Sequence, residues 1–357
     1  MIYSHAPINF HFNKNSDNFI VEEIPLYPFA HTGEWLMLKV RKKDLSTPQM
    51  IDIISKTGIN KKDIGYAGLK DKDGMTVQWI SVPRKYRDKI NAFSHKNIKI
   101  LEQDLHRNKL KIGHLKGNRF FVRLKKVLMP DAKKIESILK EMKKTGIPNF
   151  FGYQRFGKFG NNFEEAKKLI EGEKYIKNRK LEKLLISAYQ SKLFNDWLMK
   201  RIELSNIFDL SDKELKMLGY DKEIIKFIKS QNHPFKLLPG DVMTHYPHGR
   251  LFYFEKTEDS QRFLQKEIVP TGLLPGKKVL RSKELARKIE EEFDELLPAN
   301  GDRRAAWIFP EIIEKNYIKQ KAWYEFSFIL PKGSYATILI EILKNGISSG
   351  LTNYDKV

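Results

Sequence analysis

Three stretches of the chain share one rhythm, in which alternating apolar and polar positions lead through a turn into apolar residues at helical spacing. In LMLKVRK, Leu36, Leu38 and Val40 alternate with Met37, Lys39 and Arg41, the period of a half-buried strand. Ser46-Thr47-Pro48 then reads as a helix start with Pro at an early position, followed by Met50, Ile51, Ile54 and a stopping Gly58. FFVRLKK (Phe120 to Lys126) leads through Pro130-Asp131 to a helix carrying Ile135, Ile138, Leu139 and Met142, ended by Gly146. WYEFSFIL (Trp323 to Leu330) leads through Pro331-Lys332-Gly333-Ser334 to the apolar helix YATILIEIL. Further strands are predicted at DNFIVEEIP, VQWISVP, NIKILEQ and KLKIGHL.

Many strands with few helices, each following a strand, predict an α+β layer: an antiparallel or mixed sheet with helices on one face. The middle of the chain differs. From about Phe163 to Glu295 it reads as mostly helical, with EEAKKLIEG, a long run from Lys180 to Leu204, DKEIIKFIK and SKELARKIEEEFDELL. Strand-type sequence returns only near Ala322. The economical reading is an α/β-rich domain inserted into a sheet domain whose last strand and helix come from the C-terminal part.

Charge narrows the partners. Lys+Arg number 65 against 44 Asp+Glu, a formal charge of +21 on 357 residues. Such a field attracts polyanions, and nucleic acid is the foremost of them. Cysteine is absent, which excludes disulfides, cysteine-ligated zinc and a thiol nucleophile together. The opening MIYSHAPINFHFNKN lacks the basic region, apolar run and cleavage site of a secretion signal. No stretch reaches the roughly 20 apolar residues of a membrane span, so no membrane is expected and a cytoplasmic location is. Neither GxGxxG nor GxxxxGK[ST] occurs, so no nucleotide cofactor is expected.

Four segments carry candidate chemistry. In IGYAGLKDKDGMTVQW (Ile64 to Trp79) a short apolar strand enters a Gly-bounded turn crowded with charge and leaves through an alternating strand. Asp73-Gly74 serves the turn. Asp71 lies between Lys70 and Lys72, whose cations favour its ionised form. In GIPNFFGYQRFGKFGNNF (Gly146 to Phe163) six aromatics are interleaved with Arg155, Lys158, Asn149, Gln154 and glycines, a composition suited to stacking bases and neutralising phosphates. HRNKLKIGHLKGNRFFVRLKK (His106 to Lys126) reads as a basic hairpin that could track phosphates. In LLPGDVMTHYPHGRLF, His245 and His248 have only Asp241 as a partner at ligand spacing and Pro247 breaks any shared helix face, so no metal site is expected.

Together these segments resemble the TruD family of tRNA pseudouridine synthases. The family's stretch around its catalytic aspartate is similar to Gly65-Tyr66-Ala67-Gly68-Leu69-Lys70-Asp71-Lys72, with Thr76 and Gln78 following. A second family stretch resembles Pro148-Asn149-Phe150-Phe151-Gly152-Tyr153-Gln154-Arg155-Phe156-Gly157. Shorter likenesses are Lys116 to Phe120, Leu238 to Met243, Pro270-Thr271-Gly272, Arg303-Arg304 and Leu330 to Thr337. In order from Phe19 to Thr337, they cover nearly the whole chain.

The resemblance implies a pseudouridine synthase-like catalytic domain of residues 1–156 and 308–357, an inserted domain of residues 157–307, and a basic cleft for tRNA. It implies Asp71 as the catalytic carboxylate, Asn149 beside the bound uridine, Phe151 stacking in the site, and Phe19 and Tyr335 lining the pocket. The lysine that the family carries ahead of its DFxVxE-like stretch aligns with Asn13, with Lys14 adjacent. Lys14 and Lys70 are therefore both candidates for the basic partner of Asp71, and Arg155 is a further candidate contact. The target implied is the uridine at position thirteen, in the D-arm, isomerised without cofactor by a monomer. Asp71 could attack C1′ or uracil C6, or remove the 2′ proton. Two rival readings of the residues are a non-catalytic RNA-binding protein and a metal-dependent nuclease using Asp71 with Asp73.

Overall fold

The computed structural model describes residues 5–70, 72–157, 159–255 and 258–344. In chain order the elements begin with β1 (Phe19–Pro25), β2 (Trp35–Lys43), α1 (Thr47–Ser55), β3 (Gly65–Tyr66), β4 (Met75–Pro83), α2 (Arg87–Asn91), β5 (Ile98–His106) and β6 (Leu115–Lys125). They continue with α3 (Met129–Thr145), β7 (Ile147–Pro148), α4 (Asn162–Ile170), α5 (Arg179–Ile207), α6 (Asp212–Met217), α7 (Lys222–Lys229), β8 (Val242–His245) and β9 (Leu251–Tyr253). The last are α8 (Glu258–Leu264), β10 (Ile268–Leu274), α9 (Glu284–Glu290), β11 (Asp302–Ala305), β12 (Trp307–Ile308), β13 (Glu311–Ile318), β14 (Trp323–Pro331) and α10 (Ala336–Lys344). Two compact units result: residues 9–137 with 310–333, and the described residues of 1–8, 138–309 and 334–357.

The first unit is built on a mixed sheet in the order β13-β14-β6-β1-β4-β2-β5, with β3 paired to β4. Only β1 with β4 is parallel; the other pairings are antiparallel. The alternation in β2 does what its sequence requires: Leu36, Leu38 and Val40 pack with Ile80 and Val82 of β4 against Met50, Ile51 and Ile54 of α1. Ser46 starts α1 with a capping box completed by Gln49, which satisfies amides that the helix end leaves open.

Two expectations fail in this unit. The basic stretch His106 to Lys126 is not a hairpin, because β5 pairs with β2 while β6 lies between β1 and β14. Phe120, Val122 and Leu124 are buried, and so apolar a face belongs in the middle of a sheet, whereas the largely polar β5 suits its edge. KLKIGHL is not a strand either. Leu110 turns inward to pack with Met37 and Trp79, its amide donates to Ser81 Oγ at 3.0 Å, and the chain bends at Gly113.

The second unit centres on α5, 29 residues long, which buries Phe194, Trp197 and Leu198. Its sheet runs β11-β10-β8-β9, and β7 pairs with β12. These strands, and β13 of the first unit, overturn the expectation that strand-type sequence returns only near Ala322. β10 is buried on nearly every residue and contains Pro270 and Gly272, so it shows no alternation, and β13 is a mostly exposed charged edge. Buried ion pairs lock the unit: Arg201 reaches Asp241 at 2.6 and 2.9 Å, and Arg303 reaches Glu290 at 2.5 Å.

Candidate active site

In the sheet unit the short β3 and the long β4 form a hairpin whose turn carries residues 67–74. Asp71 lies outside the described residues; Lys70, the residue before it, is held by its backbone. The Lys70 amide donates to Thr47 Oγ1 at 2.8 Å, and the Thr47 amide donates to the Lys70 carbonyl at 3.2 Å. Thr47 Oγ1 in turn donates to Gln78 Oε1 at 2.9 Å, in the interior. The start of α1 thereby grips both backbone polar groups of the residue preceding Asp71. Gly74, at φ +92°, brings the chain so close to Phe19 that a Cβ would meet the Phe19 carbonyl oxygen at 2.9 Å. Lys72 and Asp73 are solvent-exposed.

Lys70 Nζ lies 2.9 Å from Glu23 Oε2, with both side chains almost fully buried. Burial raises the Glu23 pKa above the ordinary carboxylate range, against the pull of Lys70. Lys70 is thus paired with Glu23. Phe19 is a buried ring, stacked on Phe120 at 6.0 Å with Phe12 at its edge, and the Lys14 ammonium lies 5.6 Å from its centroid.

In the second unit Asn149, Phe151, Arg155 and Tyr335 come together. The Asn149 amide nitrogen donates to the Ala305 carbonyl at 2.9 Å, and its Oδ1 accepts from Arg304 Nη2 at 2.9 Å. Arg304 Nε also donates to the Asn149 carbonyl at 3.1 Å. The same guanidinium lies 3.9 Å from the centroid of the Phe151 ring. Phe151 is fixed through its backbone, which exchanges two hydrogen bonds with the Asn195 amide at 2.8 and 2.9 Å. Tyr335 is tilted against Phe151 at 6.1 Å, and Phe194 meets it edge-on at 5.6 Å. Arg155 donates to Ser191 Oγ at 3.0 Å and to Ser187 Oγ, with its guanidinium 5.6 Å from the Phe151 ring.

Arg304 organises this cluster, and sequence reasoning gave it no role. Desolvation lowers its pKa to about 10, with Tyr335 raising it and Arg155 lowering it further, so it stays cationic at neutral pH. Its only sequence signal was the pair Arg303-Arg304 in a short strand, where charge conceals which guanidinium turns inward. Glu23 was also missed, although Phe19, Val21 and Glu23 share one face of β1 and the first two are buried, which marks the third as an inward carboxylate. Among the described residues no group of three or more His, Asp or Glu could hold a metal ion.

A mixed sheet with a charged hairpin turn, and a second unit presenting an amide beside an aromatic ring, define an α+β protein. The family model for tRNA pseudouridine synthase D (TruD) matches residues 1–177 and 175–342. The tRNA pseudouridine synthase D of Wolinella succinogenes is 52% identical over 346 residues, covering 95% of this chain and 96% of that one. That of a Nitratiruptor species is 52% identical over 342 residues, covering 94% and 95%. A crystal structure from Methanosarcina mazei, of a protein assigned to tRNA pseudouridine synthase D, shares the fold at a TM-score of 0.68 with 19% identity, covering 95% and 94%. The chain belongs to the tRNA pseudouridine synthase D (TruD) family.

Proposed function

We infer that the protein isomerises uridine to pseudouridine in tRNA, and we propose Asp71 as its catalytic carboxylate. The observation that carries the reading is family membership along the whole chain at half identity, which brings the activity named for its relatives. The cluster around Phe151 supports it chemically. Isomerisation breaks the N1–C1′ bond and joins C5 to C1′, so the uracil must be kept while it turns. An aromatic face with an amide beside it can hold such a base, with stacking contributing roughly 1–3 kcal/mol. We propose that Asn149, Phe151 and Tyr335 contact the uracil, that the target is the D-arm uridine at position thirteen, and that residues 157–307 form an inserted RNA-binding segment in a catalytic part made of 1–156 and 308–357. Among the described residues no helix is long and apolar enough to cross a membrane, and a cytoplasmic monomer is the working state we propose.

The test is Asp71→Asn. Binding of tRNA should stay within about twofold of wild type while pseudouridine formation falls by at least 10³-fold, a loss of about 4 kcal/mol in transition-state stabilisation. Mapping of pseudouridine in the treated tRNA measures both the loss and the position. Turnover near the wild-type rate would remove Asp71 from the chemistry.

A further inference from the structure

On the sheet unit, β5, the last residues of β2 and the segment after α2 line an open cavity of about 800 Å³ to which the candidate-site residues do not contribute. Arg41, Lys43, Lys96 and Lys99 line it, all four exposed. Among the described residues none of these four has a carboxylate within ion-pair distance. The one acidic residue in the lining, Glu102, is held by Lys39 at 2.8 Å. Arg41 and Lys99 are direct cross-strand partners in the antiparallel pairing of β2 and β5. Like charges directly opposite each other destabilise a sheet, and an anion set between them removes that cost.

The remaining lining fits an anion that carries sugars and bases. Phe93 and His95 present parallel rings, with centroids 6.5 Å apart and planes 8° apart, and amide side chains stand beside them. The cavity also reaches Met75, the first residue of β4 and the cross-strand partner of Lys43. Met75 follows Asp71 by four residues, which extended chain spans in at most about 14 Å. A stacked nucleic-acid strand covers that length in about four nucleotides, at roughly 3.4 Å each.

We propose that this cavity binds the sugar–phosphate backbone of the substrate RNA a few nucleotides from the reacting uridine. The proposal rests on the tRNA-modifying reading above and adds a second point of grip to it. Contacts of this kind are indifferent to sequence and are felt in affinity, because each neutralised phosphate releases condensed counterions.

The experiment compares Arg41→Gln/Lys43→Gln/Lys99→Gln with wild type and with Lys133→Gln/Lys140→Gln/Lys144→Gln, which removes the same charge from exposed positions on α3. Pseudouridine formation on tRNA is followed as a function of tRNA concentration and salt. Removing the cavity cations should raise KM about tenfold at physiological salt, and flatten the slope of log affinity against log salt by about 2, at roughly 0.7 per lost phosphate contact. The effect should lie mainly in KM, and the control variant should behave as wild type. An unchanged KM and slope in the cavity variant overturns the proposal. So does an equal loss in the control, which would make the effect one of net charge. If affinity for tRNA is unchanged while a thermal shift produced by inorganic phosphate in wild type disappears in the variant, the cavity holds a small free anion and the proposal falls. Failure of wild type to form pseudouridine would strike the proposed function instead, so the two failures are distinguishable.

Discussion

The residue before Asp71 is held in the sheet unit by a buried ion pair and a threonine, while Asn149 and Phe151 are held in the other unit by an amide and a guanidinium lying on an aromatic face. Lys70 and Glu23 form one cation and one anion, both withdrawn from water. Arg304 works differently: it directs hydrogen bonds to two oxygens of Asn149 and lays its charge on the face of Phe151. The ion pair fixes one point and leaves its net stabilisation near zero, because desolvating two charges costs about what their attraction returns. The guanidinium fixes a plane and a direction, and keeps its charge. One arrangement therefore fails by exposing an unpaired charge, the other by loosening a geometry.

Breaking the ion pair should give the largest effect. Lys70→Met leaves the Glu23 carboxylate buried and unpaired, and should cost about 3–5 kcal/mol of stability at pH 8. Burial already raises the Glu23 pKa, and without Lys70 nothing of comparable size opposes that rise. A carboxyl whose folded pKa lies above its unfolded value destabilises the protein as pH rises through the folded pKa, and does no harm below the unfolded one. The deficit measured by urea unfolding should therefore shrink between pH 8 and pH 5. Adding Glu23→Leu should recover most of the stability at pH 8 and abolish the pH dependence, while activity stays low because Lys70 no longer anchors the turn. A double variant as unstable as Lys70→Met alone would show that the cost comes from packing and not from charge.

The same comparison shows what the residues could reveal in advance. Elements with a clean period were legible: β2, α1 and β14 lie where alternation and helical spacing put them, because one face of each is more deeply buried than the other, and α10 was legible from its long apolar run, being buried on nearly every residue. Elements buried on both faces, such as β10, or on neither, such as β13, carry no such contrast and were missed. Strand order was not legible at all, since β5 and β6 are neighbours in sequence and are separated by three other strands in the sheet. In the site, Asn149, Phe151, Arg155 and Tyr335 were named from the sequence and do cluster, because the stretches bearing them resemble known ones. Glu23 and Arg304 were not given roles, because what distinguishes them is burial, and a charged letter in a sequence reads as a solvated one.

Glu341 offers a smaller perturbation that isolates burial from pairing. It sits on α10 of the second unit, with one carboxylate oxygen buried and unbonded among the described residues. Burial raises its pKa to about 7, against the opposing pull of Lys344. In the unfolded chain this proton leaves near the ordinary glutamate value of 4.5, so stability falls as pH rises from there through about 7. Glu341→Gln keeps the shape and removes the ionisation. It should stabilise the protein by about 3 kcal/mol at pH 8, since each tenfold change in an acid's ionisation constant is worth about 1.4 kcal/mol. At pH 4.5 most of that gain should vanish. Equal melting temperatures for variant and wild type at pH 8 would mean that water or chain outside the described residues already satisfies the carboxylate.

The most discriminating substitution is at Arg304, where charge and shape can be separated. Arg304→Lys retains a cation near Phe151 but loses the planar fork that reaches Nε to the Asn149 carbonyl and Nη2 to its Oδ1 together. If the guanidinium serves to aim Asn149, the lysine variant should lose about 10- to 100-fold in kcat/KM, or about 1.4–2.7 kcal/mol, nearly as much as Arg304→Ala. If it serves as a positive charge facing the base or its phosphate, the lysine should restore most of the rate and the alanine should not. Affinity for tRNA separates the readings further: aiming should leave the salt dependence of binding unaltered in both variants, whereas loss of a phosphate contact should flatten it in the alanine variant alone. A lysine variant at wild-type rate would transfer Arg304 from the positioning of Asn149 to electrostatics, and the contrast between the two units would then be one of charge sign and not of geometry.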